Sequence, residues 1–102
     1  MKRAMIDIAP RHLETIREIL NKHVPECEAR AFGSRVLGKA KAYSDLDLAL
    51  KGEEALGQER LNRLIEAFEE SDLPFRVDVL DWNAISESFQ AVIEKRYELI
   101  ET

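Results

Sequence analysis

Apolar positions along the chain follow two periods, and the points where one gives way to the other divide it into elements. Leu13, Ile16, Ile19, Leu20 and Val24 recur at helical spacing, after a Pro10 suited to a first helical turn and before a Pro25 that stops the run. Glu28–Phe32 alternates weakly and ends at Gly33-Ser34, which predicts a short strand. Ser34–Leu37 reads as one helical turn capped by the serine hydroxyl, with Gly38 ending it, and Lys39–Tyr43 as a loop. Leu46–Leu50 is a buried strand, left through a turn at Lys51-Gly52-Glu53. Leu61, Leu64, Ile65 and Phe68 mark an amphipathic helix with Glu66, Glu69 and Glu70 on its wet side, broken by Asp72 and Pro74. Phe75–Asp81 alternates as a third strand with Phe75, Val77 and Val79 on one face. Asn83 is placed to cap a last helix with the stripe Ile85, Phe89, Val92, Ile93 and Ile100. No repeat, linker or low-complexity stretch interrupts this order. It predicts an α/β (α+β) fold in one domain over residues 1–102: a small mixed sheet of about three strands flanked by helices.

One polar pair breaks the apolar pattern. Asp45 and Asp47 flank Leu46 in Ser44-Asp45-Leu46-Asp47-Leu48-Ala49-Leu50, so both carboxylates share one strand face while the leucines take the other. Like charges side by side lower stability, and a hard divalent cation between them relieves the repulsion. Asp78 faces away from Phe75, Val77 and Val79, so if the third strand lies beside the second it joins the same cluster. Three carboxylates suit two cations that clamp the attacking and leaving oxygens of a phosphoryl transfer. In that scheme Asp45 and Asp47 hold the metal that escorts a triphosphate, and Asp78 helps hold the second and draws the proton from an acceptor hydroxyl. The plain alternative is that each Asp is a solvated strand edge.

Gly33-Ser34 offers the other half of such a site. Glycine lets backbone approach a phosphate closely, and a short helix starting at Ser34 adds N–H donors and a hydroxyl. Arg35 is placed to reach a phosphate, although a surface arginine after a turn is commonplace. Gly33–Lys39 also fits the opening of the P-loop pattern, but Ala40 lacks the hydroxyl that this pattern uses on magnesium, and no long helix follows. The P-loop reading is rejected.

Composition narrows the partners. With 102 residues, 45% of them hydrophobic and 34% charged, the chain has the makings of one solvated globular core. A net charge of −5, spread along the chain, argues against direct binding of long nucleic acid but not against a nucleotide accompanied by magnesium. Cys27 is alone, which excludes an internal disulfide and, with only two histidines, leaves too few soft ligands for zinc. Met1–Met5 leads into no long apolar run and so does not read as a signal peptide. Nothing approaches the roughly 20 apolar residues of a membrane span, so a cytoplasmic location is expected.

Gly33-Ser34, ten intervening residues and Asp45-Leu46-Asp47 resemble the signature of the DNA polymerase β-like nucleotidyltransferase superfamily. The text from Phe32-Gly33-Ser34-Arg35 through Gly38 to Ser44-Asp45-Leu46-Asp47-Leu48 is similar to its minimal, MntA-like branch, and a later acidic strand residue, here Asp78, belongs to the same pattern. The resemblance implies magnesium-dependent transfer of AMP from ATP to a hydroxyl, with Gly33 and Ser34 on the triphosphate and Asp45, Asp47 and Asp78 on metal, two Mg2+ ions in all. It further implies a HEPN-domain toxin, a ribonuclease, as partner, with AMP placed on one of its tyrosines. The acceptor- and template-binding domains of larger relatives have no counterpart in these residues, which directs the acceptor toward a partner protein. Two functional classes follow: an antitoxin enzyme, or a non-catalytic antitoxin that neutralises its partner by occlusion. Homo- and hetero-oligomers are both open.

The remaining residues carry weaker signals. His12 and His23 are too far apart on one helix to share a metal and read as surface or packing residues. Cys27 reads as a small core residue. Trp82 and Tyr97 fit either core packing or a partner interface. Tyr43 is placed to stack on a base, and Lys39 and Lys41 to attract a triphosphate or simply to solubilise the loop.

Overall fold

The computed structural model describes residues 6–38 and 44–101. Tyr43, Lys39, Ala40 and Lys41, and with them the loop roles and the P-loop comparison, lie outside the described residues. The order is α1 (Pro10–His23), β1 (Glu28–Phe32), α2 (Ser34–Leu37), β2 (Leu46–Lys51), α3 (Gln58–Glu69), β3 (Val77–Asp81), a 3-10 turn at Trp82–Ala84, α4 (Glu87–Lys95) and β4 (Glu98–Ile100). The sheet runs β3-β2-β1-β4. Strands β2 and β3 are parallel across the α3 crossover, while β1 is antiparallel to both β2 and β4.

Strand alternation gives the two sheet faces different tasks. Ala29, Ala31, Leu46, Leu48, Leu50, Val77 and Val79 are buried with Ile16 and Leu20 of α1 and Leu64 and Phe68 of α3 in the main core. Leu46, Leu48 and Leu50 are entirely buried, so β2 is the central beam of the fold. The opposite face has a smaller core of Ala49, Trp82 and Ile93, with Phe32, Ile85 and Tyr97 packed on it. That core covers only part of its face, and α4 and β4 leave Phe89, Val92 and Leu99 exposed. Asp47 and Asp78 lie on this half-covered face. No helix among the described residues is long and apolar enough to cross a membrane.

Three local expectations change. The sheet has four strands among the described residues, because 98–100 leaves the predicted last helix and pairs with β1. Ile100 therefore lies opposite Ala29 as a core strand residue, and β4 covers what would otherwise be an open edge of β1. The cap of α4 is Ser86, whose hydroxyl accepts from the Phe89 N–H at 3.2 Å, rather than Asn83. Asn83 instead closes the preceding turn: its backbone N–H donates to Asp81 and its side-chain amide to the Gly52 carbonyl at 3.0 Å. Ser34 does not cap α2 with its side chain, since Gly33 occupies the cap position.

The packing readings of the aromatic and sulfur residues hold. Trp82 and Tyr97 sandwich the buried Arg30 guanidinium at 4.8 and 4.4 Å. His12 meets Phe75 edge to face at 5.9 Å, and Cys27 is buried.

Candidate active site

Parallel pairing of β2 with β3 decides whether the carboxylates meet. Its register sets Asp47 directly beside Asp78, with Leu46 beside Val77 and Leu48 beside Val79. On the other side Asp47 pairs with Phe32, the last residue before Gly33. Asp45 precedes β2 by one residue and is held at its start by the Leu46 N–H, which donates to the Arg76 carbonyl at 2.8 Å. The three predicted carboxylates therefore belong to one edge of one face.

Their environments differ. Asp45 and Asp78 are partly open, with 46% and 37% of their side chains exposed. Arg76 reaches back over both: its Nη2 and Nε donate to Asp78 Oδ1 at 2.8 and 3.0 Å, and its Nε lies 4.0 Å from Asp45 Oδ2. Asp47 is half-buried and has no such cation among the described residues. Desolvation raises its pKa above the ordinary carboxylate value, and the charges of Asp78 and Asp45 add to the rise. A carboxylate kept in that setting is destabilising by itself and is relieved by an added cation.

Gly33 explains how the glycine-serine turn comes so near Asp47. Its φ of +81° and ψ of −155° belong to a region open essentially to glycine. A Cβ built there would lie 2.3 Å from Asp47 Oδ2, closer than any real contact. Gly33 is thus demanded twice, by its backbone and by the carboxylate it touches. The turn continues into α2, with the Val36 N–H on the Gly33 carbonyl at 3.0 Å and Gly38 closing it in a left-handed conformation.

The site is therefore open-armed rather than closed. Among the described residues no three ligand-type side chains are already gathered to hold a metal ion, and the Arg76 guanidinium neutralises Asp78 instead. The donor set still suits a hard cation: oxygen ligands only, two of them accessible, with Asp47 beside Asp78 and no cation paired to it among the described residues.

Arg35, expected as a surface residue within reach of a phosphate, is instead drawn into the fold. Its side chain is buried, its Nε donates to the Ser44 carbonyl at 2.9 Å and its Nη1 to the Asp7 carbonyl at 2.6 Å. Its guanidinium covers the Phe75 ring at 4.2 Å. A cation committed to carbonyls inside the fold is an anchor, not a surface arm for a ligand. Arg76 is the functional-face residue that the sequence reading left out, although its position two before Asp78 on an alternating segment is the signal that places both on one face.

A family model for polymerase beta nucleotidyltransferases matches residues 14–102. The chain belongs to the polymerase beta nucleotidyltransferase family. Within this family it is 52% identical over 98 residues to a probable protein adenylyltransferase MntA of Haemophilus influenzae, spanning 96% of this chain and 86% of that protein. The MntA-like resemblance carried by the signature is thereby borne out. Solved structures share the fold. A toxin–antitoxin crystal structure with AMP-PNP matches 87% of this chain and 72% of its own, at a TM-score of 0.74 and 21% identity. A toxin–antitoxin MntA–HepT structure matches 91% of this chain and 72% of its own, at 0.62 and 17%. The family's polymerase β-like fold is the mixed α+β architecture described above.

Two outcomes follow from this geometry. Gly33→Ala is expected to lose about 1–3 kcal/mol, the cost of a side chain in that backbone region, in denaturant unfolding at constant m-value. Asp47→Asn is expected to stabilise the protein at neutral pH, raising Tm by up to about 5 °C if the like-charge cost resembles other cross-strand pairs. The sign follows from the raised pKa: the ionised carboxylate disfavours the fold, so wild type gains stability as pH falls through the folded pKa toward the unfolded one. Thermal melts across that range should therefore show the advantage of Asp47→Asn shrinking on acidification. A constant difference would assign it to packing.

Proposed function

We propose that this chain, as a single minimal domain, transfers AMP from ATP to a hydroxyl of a partner protein and thereby acts as an antitoxin. The acceptor is a tyrosine of a HEPN-type ribonuclease toxin, and the two chains form a hetero-oligomer in the cytoplasm. One observation carries the reading: the Asp47 carboxylate, with no paired cation among the described residues, lies between Asp78 and the Gly33 turn. The 52% identity to a probable protein adenylyltransferase MntA supports the choice of reaction and acceptor class.

Each residue then has a defined part. Asp45, Asp47 and Asp78 would hold magnesium, which supplies neutralisation of the triphosphate charge and alignment of its α-phosphorus. Gly33, lacking a side chain, lets the backbone of the turn lie against the phosphates, and Ser34 adds its hydroxyl. Asp78, at the exposed rim of the face, accepts the proton of the acceptor hydroxyl. The hydroxyl oxygen forms a bond to the α-phosphorus and the bond to pyrophosphate breaks, so AMP is transferred and pyrophosphate leaves. Positioning supplies most of such a reaction, and the partner completes it by presenting the hydroxyl.

Incubation with the toxin, ATP and magnesium is expected to add one or more AMP masses to the toxin in intact-protein mass spectrometry. The double variant Asp45→Asn, Asp47→Asn is expected to add none and to lose neutralisation. An unchanged toxin mass, with neutralisation retained by that variant, would support occlusion instead.

A further inference from the structure

Arg35 touches every segment that delivers a carboxylate to the site, and it does so from inside the fold. Its Nε holds the carbonyl of Ser44, the residue immediately before Asp45. Its guanidinium lies over Phe75, the residue immediately before Arg76, whose own carbonyl receives the Leu46 N–H and whose side chain holds Asp78. Its Nη1 holds the Asp7 carbonyl, and the Asp7 N–H returns to the Arg35 carbonyl at 2.9 Å, closing the N-terminal segment onto α2. Arg35 itself sits one residue after Ser34, so the phosphate turn and the strand starts share one buried cation.

We infer that Arg35 is a positioning residue that fixes Asp45, and with it the spacing between the Gly33-Ser34 turn and the carboxylates. Asp45 needs such help because it lies outside the β2 ladder. Its backbone is pinned from one side by Leu46 on Arg76, and from the other by Arg35 on Ser44. Side-chain contact does not replace this, since the nearest cation among the described residues is 4.0 Å away. A planar fork can serve Ser44, Asp7 and the Phe75 ring at once, whereas a lysine ammonium is a point charge with no plane to lay on the ring. Partners standing behind a metal ligand commonly change cation affinity 10- to 100-fold when removed. The inference rests on the cation-site reading of Asp45, Asp47 and Asp78, and its test separates the two.

Arg35→Lys and Phe75→Leu in the full chain are compared with wild type by thermal melting, by Mn2+ titration followed by electron paramagnetic resonance, and by amide hydrogen exchange at Asp45 and Leu46. Arg35→Lys is expected to remain folded, to bind Mn2+ about tenfold or more weakly, and to exchange faster at those two amides. Phe75→Leu, which keeps an apolar filler but removes the ring, should move both readouts in the same direction by less. Wild-type Mn2+ affinity and exchange in folded Arg35→Lys would overturn the inference. If Arg35→Lys does not fold, unchanged affinity and exchange in Phe75→Leu overturn it equally. Should wild type bind no Mn2+, the cation reading fails, and the exchange rates alone still decide whether Arg35 holds Asp45 in place.

Discussion

Everything distinctive in this structure depends on one register. The parallel pairing of β2 with β3 sets Asp47 beside Asp78, two like charges on a face that α4 only half covers. Shifting that pairing by one residue would bury Asp78 in the main core and expose Val77 and Val79. The wholly buried Leu46, Leu48 and Leu50 hold the register from the other side of the sheet. The hydrophobic core thus enforces an electrostatically unfavourable arrangement that an isolated pair of strands would not keep. Stability and site are the same set of hydrogen bonds seen from opposite faces.

Charge is handled unevenly across that face. Arg76 neutralises the rim, where Asp78 and Asp45 are half open and a solvated ion pair contributes little. Asp47, deeper and backed by Gly33, has no such partner among the described residues and keeps a raised pKa. A similar contrast holds among the arginines. Arg35 and Arg30 are buried, one on backbone carbonyls and one between Trp82 and Tyr97, whereas Arg76 stays exposed beside the carboxylates. Three arginines do three kinds of work: burial sets Arg76 apart, and the partners separate Arg35 from Arg30.

That difference marks the limit of what sequence could yield. Alternation placed Asp45, Asp47 and Asp78 on their faces because strand periodicity is local, and Pro10, Pro25 and the glycines punctuated the elements by local backbone chemistry. The Asp47–Asp78 contact was conditional on strand order, which the α3 crossover resolves into a parallel pair. The burial of Arg35 is not legible in sequence because a residue beside a glycine-serine turn looks exposed on paper, whereas its surroundings come from Asp7, Ser44 and Phe75, distant in sequence. Ile100 was drawn into a helix by a spacing that fits i, i+7 from Ile93. The demand for a strand beside β1 overrides that spacing. Asn83 does not cap α4 for a similar reason: where the turn after β3 closes, which local sequence does not set, places Ser86 at the cap three residues later.

The proposed role of the carboxylate face is to hold a cation rather than merely to tolerate repulsion. Crystals of the protein with Mn2+ and a non-hydrolysable ATP analogue, measured at the manganese absorption edge, test it directly. The claim requires an anomalous peak in ligating distance of Asp47 together with Asp45 or Asp78, the triphosphate along Gly33-Ser34, and Arg76 released from Asp78. An empty Asp47, with Arg76 still paired to Asp78 and the nucleotide elsewhere, would contradict it.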